Sequence, residues 1–253
     1  MRNYLVVVGF VLAMITGVLN ISAAEPEHFY NPPENLNSDP SYTPGDYALP
    51  ELHAARVIFQ NVKEELTKQE SLLDSNRLFT LNAGEITFTA VKNEKAEVLG
   101  YFRNFFGALT LAGGEPVRMD LVIDVNSLDT AVPGRNNRIL DIFFQSAKPE
   151  LGTARIVFDV FELGGLSFAA LQDGSEHAIS ASGKIVLNQS EQPIRAALIV
   201  QKTGALWTVT TDQPLELNIS DFNFGQRVYD LMKACNHKAM GNTVKIKTQL
   251  YLK

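Results

Sequence analysis

The chain is short of the side chains that most catalytic and metal chemistry needs. It carries one cysteine, Cys235, and four histidines, His28, His53, His177 and His237, in 253 residues. A single cysteine excludes an intrachain disulfide, so the redox compartment cannot be read from bridges. A zinc site takes three or four ligands, and only Cys235 and His237 lie close in sequence. A small thiol on a helix stripe beside an exposed histidine explains that pair more simply; a redox partner using Cys235 and His237 stands as an alternative. No Gly-x-Ser-x-Gly elbow, P-loop or dinucleotide fingerprint occurs, which removes the common hydrolase and nucleotide-binding readings. Lys and Arg total 22 against 28 Asp and Glu, a net charge of -6, with no basic cluster. Nucleic acid as a partner is therefore excluded on charge. Asp124, Asp129 and Asp141 are close in sequence. Asp124 falls on the outward side of a strand pattern and Asp129 in a turn, so turn capping accounts for them better than acid–base chemistry. The single Trp207 lies in a strand pattern and reads as core.

What the chain does have starts at its N-terminus. Arg2 precedes an apolar run from Tyr4 to Leu19, and Ser22-Ala23-Ala24 offers small residues before Glu25. This is the form of a secretory signal peptide over residues 1–24, the run being short for a spanning helix of about 20 residues. No cysteine stands at the junction to take a lipid anchor. Residues 25–50 read as a linker, since Pro26, Pro32, Pro33, Pro40, Pro44 and Pro50 interrupt helix and sheet alike. In residues 51–75, Ala55, Ile58, Phe59, Val62, Leu66 and Leu73 fall near one helical face. That spacing predicts an amphipathic helix from about Pro50 to Leu73, docked on the following domain or paired with another chain.

Residues 77–253 are almost all strand pattern. Val117, Met119, Leu121, Ile123 and Val125 alternate with Arg118, Asp120 and Asp124, and similar period-two runs recur around Ile86, Ile156, Ile179, Ile194, Leu206, Leu215 and Val244. Turn signals such as Gly113-Gly114 and Asp173-Gly174 separate them. Many short strands without long intervening helices predict an all-β antiparallel barrel or sandwich. Two stretches depart from this: one or two helical turns over Arg135 to Phe144, and a helix over Gln226 to Ala239 with Val228, Leu231, Met232 and Cys235 as its stripe. An eight-stranded barrel either fills itself with side chains or holds one small ligand. The inward set comprises Phe88, Phe102, Phe105, Met119, Leu121, Ile123, Ile156 and Phe158. Phe102 and Phe105 are three apart, so both point inward only if a bulge or bend sits at Asn104.

The order of short motifs resembles the YceI family of bacterial periplasmic proteins. Gly100, Phe102, Phe105, Gly107 and Leu109 match its Gly-x-Phe-x-x-Phe-x-Gly-x-Leu segment. The alternating strand follows, then Ser127-Leu-Asp-Thr130, Arg135 and Phe143-Phe144. Ser182-Gly-Lys-Ile-Val-Leu187, Ser220-Asp-Phe222 with Gly225, and Gly241-Asn-Thr-Val244 extend the likeness, which spans Leu78 to Leu252. The resemblance implies a lipocalin-like antiparallel β-barrel in the periplasm. It also implies a carrier rather than an enzyme, with no cofactor or metal, holding a polyisoprenoid or fatty-acyl lipid among the inward residues named above. Arg135 is then the head-group candidate. A homodimer and transient membrane contact stay open as partners. The chain departs from the family pattern where Asn136 and Arg138 take the Asp and His places after Arg135, and where Asn188 to Gln192 replaces a His-Gly-Val-Thr-Lys turn. If those residues touch a head group, the ligand differs from the family's. The competing expectation is a structural or interaction module with a solid core.

Overall fold

The computed structural model describes residues 29–30, 49–68, 75–81 and 83–253. The signal-peptide segment 1–24 and most of the proline-rich stretch lie outside these.

The strands, in order, are β1 (Phe29–Tyr30), β2 (Ser75–Phe79), β3 (Glu85–Lys92), β4 (Ala96–Phe102), β5 (Phe105–Ala112), β6 (Glu115–Asp124), β7 (Leu128–Asp129), β8 (Thr153–Glu162), β9 (Glu176–Leu187), β10 (Ser190–Thr203), β11 (Leu206–Thr211), β12 (Leu215–Asn218) and β13 (Met240–Leu252). The helices are α1 (Leu49–Lys68), α2 (Pro133–Arg138) and α3 (Gly225–Ala234). Every strand pair is antiparallel.

Several strands continue one another across a bend. β3 pairs β4 (Phe88 opposite Gly100) while β2 pairs β5 (Phe79 opposite Ala108). β6 and β7 both line the β4/β5 run, and β11 and β12 both line β13. The walls are thus β2/β3, β4/β5, β6/β7, β8, β9, β10, β11/β12 and β13, each paired with the next in sequence. The last meets the first: β13 pairs β3, and Phe79 and Lys253 exchange backbone hydrogen bonds of 2.9 and 3.0 Å. The result is a curled up-and-down barrel of the lipocalin type, in which closure leaves few exposed edges. The bend expected at Asn104 is there: β4 ends at Phe102 and β5 begins at Phe105, and both rings pack against the one central core cluster.

Helix α1 docks on the outside of the barrel. Phe59 and Leu66 are buried against the outward side chains Phe106 and Val122. The Arg77 guanidinium donates to the Leu66 carbonyl at 2.5 Å, which ties the helix end to β2. The described part of the helix runs to Lys68, and Leu73, expected in its stripe, lies outside the described residues. On the same outer face Asp120 is 1% exposed. It accepts from Arg118 Nε at 2.6 Å and from Arg155 at 2.9 Å. Burial raises its pKa, but the two guanidiniums more than offset that and hold the carboxyl below its ordinary range. Asp124 caps the turn after β6 by accepting from the Asn126 amide at 3.0 Å, and Asp129 accepts from the Ala131 amide at 2.8 Å. Both are turn-capping residues, as their sequence context indicates. Val117 differs from expectation: Thr110 faces Arg118 and Leu111 faces Pro116, so Val117 is the extra residue of a bulge in β6 and is exposed.

Helix α3 is shorter than the predicted Gln226–Ala239. It ends at Ala234, because Asn236 takes a left-handed φ of 52° and the His237 amide closes back on the Met232 carbonyl at 2.9 Å. The stretch after β7 is α2 followed by a π-helical segment, Ile139–Phe144. This segment and α3 pack against each other at one end of the barrel.

Candidate functional site

Inward residues of the strands line an apolar hollow of about 1090 Å³, a volume that includes the solvent space at its opening; we call it the tunnel. Ile86, Phe88 and Ala90 of β3 face it, with Ala154 and Ile156 of β8, and Val244, Ile246 and Thr248 of β13. Phe143 and Phe144 of the π-helical segment cover it, together with Phe222, Phe224 and Leu231. The Thr248 hydroxyl is the one polar side-chain group among the lining residues.

The aromatic rings form a connected set. Phe143 stacks on Phe224 at 4.2 Å between centroids, Phe144 meets Phe143 edge-on at 4.9 Å, and Phe102 lies 6.4 Å from Phe144 and 5.5 Å from Phe88. Such offset and edge contacts hold rings in place without polar groups. Gly100 makes room for one of them: a Cβ there would overlap the tip of the Phe88 ring. Arg227 fastens the cover. It donates to Asn188 Oδ1 at 2.7 Å and to the Phe143 and Phe144 carbonyls at 3.4 Å, and Asn188 in turn donates to the Phe222 carbonyl at 2.6 Å. Gln192 likewise donates to the Asp221 carbonyl at 2.7 Å. The polar residues of the Asn188–Gln192 turn therefore bind the protein itself at the barrel end.

Of the inward residues named from sequence, Phe88, Phe102, Ile123 and Ile156 line the tunnel. Met119, Leu121 and Phe158 are buried in the same core cluster but away from the tunnel lining, and Phe105 is half-buried against that cluster. The interior is thus divided. One part is filled, with Trp207 stacked on Phe168 at 4.9 Å within the same buried core; the other is hollow. Phe143, Phe144, Phe222 and Phe224 were not among the candidates. The first three sit in helical turns and Phe224 sits just before α3, where strand alternation gives no signal; their trace in the sequence is the Phe-Phe pair and the Ser-Asp-Phe element.

A second hollow, about 860 Å³ including its opening, adjoins the tunnel between β3, β4, α2 and α3. Phe88, Ala90, Ile139, Leu231 and Met240 line both spaces. Its other walls carry Lys92, Arg135, Arg138, Cys235 and His237. Arg135 donates to the Thr130 hydroxyl and carbonyl, each at 2.8 Å, and Asn136 accepts from the Thr130 amide at 2.9 Å. Burial, then the charges of Lys92 and Arg138, push the His237 pKa below its ordinary value. Among the described residues no group of three or more His, Cys, Asp or Glu side chains is placed to hold a metal.

Two solved structures share this fold. The polyisoprenoid-binding domain from Saccharophagus degradans implicated in plant cell wall breakdown superposes with a TM-score of 0.62 at 22% identity, over 70% of this chain and 97% of that one. Burkholderia cenocepacia BcnA gives a TM-score of 0.54 at 18% identity, over 68% of this chain and 98% of that one. No curated protein sequence matches the chain. The family model described as the YceI-like domain matches residues 79–252, from the last residue of β2 to the end of β13. By that match the chain belongs to the YceI-like domain family.

Proposed function

We propose that this protein is a periplasmic carrier that holds the long apolar tail of an isoprenoid or fatty-acyl lipid inside the barrel. The observation that carries this reading is the lining of the tunnel: 24 residues around a hollow of about 1090 Å³, its opening included, with one hydroxyl among their side chains. Water in such a space finds almost no hydrogen-bond partners, whereas each buried methylene of a tail contributes about 0.8 kcal/mol. The tunnel selects for chain length and apolarity and offers nothing that would orient a reacting bond. Binding is therefore favoured over catalysis. The likeness to a polyisoprenoid-binding domain supports the same class of ligand. The periplasmic location rests on the signal-peptide form of residues 1–24.

The test is to extract the purified, natively folded protein with organic solvent and analyse the extract by mass spectrometry. A lipid with a long apolar tail, near one per barrel, is the expected result. A clean extract from a protein that also takes up no added lipid would instead favour an interaction module.

A further inference from the structure

We propose that the hollow at the tunnel mouth is a subsite for an anionic head group, so that the ligand is an acidic amphiphile carrying a phosphate or a carboxylate. This rests on the tunnel reading above. Lys92 ends β3, and Arg135 and Arg138 lie three residues apart on α2, the spacing that puts two side chains on one helix face. All three are half-buried and line the same hollow, whose walls include no Asp or Glu. Among the described residues none of the three makes an ion pair. Among the described residues Arg135 bonds only the neutral Thr130. This is unusual company for a chain of net charge -6, in which elsewhere Arg103, Arg118, Arg155 and Arg195 each meet a carboxylate.

Half-buried cations without a partner are costly unless an anion completes them. Here the hollow shares Phe88, Ala90, Ile139, Leu231 and Met240 with the tunnel lining, so the head of a lipid whose tail lies in the tunnel would be within reach of these groups. Guanidinium forks take phosphate or carboxylate oxygens through paired charge-assisted hydrogen bonds. A neutral head, such as an alcohol, would leave the cations uncompensated. The His237 pKa is lowered first by burial and then by the charges of Lys92 and Arg138, which places the ring beside the same two cations.

The test compares one tail with three heads: hexadecyl phosphate, hexadecanoate and hexadecanol, titrated calorimetrically below their aggregation limits into the full chain. The two anions are expected to bind about tenfold or more tighter than the alcohol, because charge-assisted hydrogen bonds are stronger than neutral ones. The order between phosphate and carboxylate distinguishes a phosphorylated lipid from a fatty acid as the source. The double variant Lys92→Gln/Arg138→Gln should bring the anion-to-alcohol ratio near one, while Arg138→Lys, which keeps the charge, retains most of it; thermal melts of both establish that they fold. Arg135 is left in place because it also secures Thr130. Equal binding of all three ligands by the unaltered protein overturns the head-group site and leaves the tunnel standing. No binding of any of them overturns the tunnel and this inference with it. Loss of binding to phosphatidylglycerol vesicles in the double variant, with no head-group preference among the single amphiphiles, assigns the cations to membrane contact and also overturns the proposal.

Discussion

Ala154→Leu separates a lined tunnel from a filled one. Ala154 is 7% exposed, pairs with Ile123 across β6 and β8, and faces the tunnel. Leucine adds three carbons at that point. In a hollow interior the added carbons occupy space that a tail would use and displace a comparable length of it. At about 0.8 kcal/mol per methylene the loss is ~2.4 kcal/mol, or roughly 50-fold in affinity. The ligand-free protein should lose no stability and gain up to ~2 kcal/mol from the new apolar burial. In a core already filled at this point, the same change would overpack and cost about 1–3 kcal/mol. Urea unfolding of lipid-stripped protein, together with titration of a long-chain ligand into wild type and variant, reads both quantities. A variant destabilised by more than ~1 kcal/mol with unchanged lipid affinity would refute the reasoning.

Gly183 faces the bulge in β8, and a Cβ there would collide with the Val157 carbonyl oxygen, so Gly183→Ala should cost about 3 kcal/mol or more in urea unfolding; a loss below ~0.5 kcal/mol would contradict the packing described. Gly100→Ala should push the Phe88 ring out of its seat and weaken lipid binding by about tenfold while the circular dichroism spectrum stays that of the wild type; unchanged binding would show that the ring position does not matter. His237 has a folded pKa below its ordinary 6.5, so the folded state prefers the neutral ring. Below pH 6.5 the unfolded chain then binds more protons than the folded one, and stability should fall as pH drops toward the folded pKa. His237→Asn should flatten the stability profile in that window, and an identical slope in the variant would reject the assignment. The Asp120 contribution lies lower, being lost only as pH falls below 3.8.

The strand walls were legible because alternation survives in them: Met119, Leu121 and Ile123 do point inward, and the spacing of Phe102 and Phe105 required the bend that exists at Asn104. Alternation tells which way a side chain points and not whether the space in front of it is empty. Ile123 and Leu121 are neighbours on one strand face, yet one borders the tunnel and the other lies away from it, because vacancy depends on what the opposite walls contribute. The cover of the tunnel was harder to foresee. Phe143 and Phe144 come from the π-helical segment and Phe224 from the start of α3, far away in sequence, and Arg227 and Asn188 join the two regions, partners that no local pattern announces. Burial of Asp120 on the outer face was hidden for a similar reason. The amphipathic stripe of α1 was visible, but not that it would settle over Phe106 and Val122. The cations at the mouth are scattered over β3 and α2, so they form no run in the sequence and gather only when the barrel closes.

The central claim is that the hollow half of the barrel accepts a long apolar chain, and its most direct test is affinity measured across a homologous series of tails with one fixed head. Binding inside the tunnel predicts that each added methylene contributes about 0.8 kcal/mol, roughly a fourfold gain in affinity, until the space is full and the gain stops. An affinity that does not change with tail length from the shortest member to the longest would contradict it.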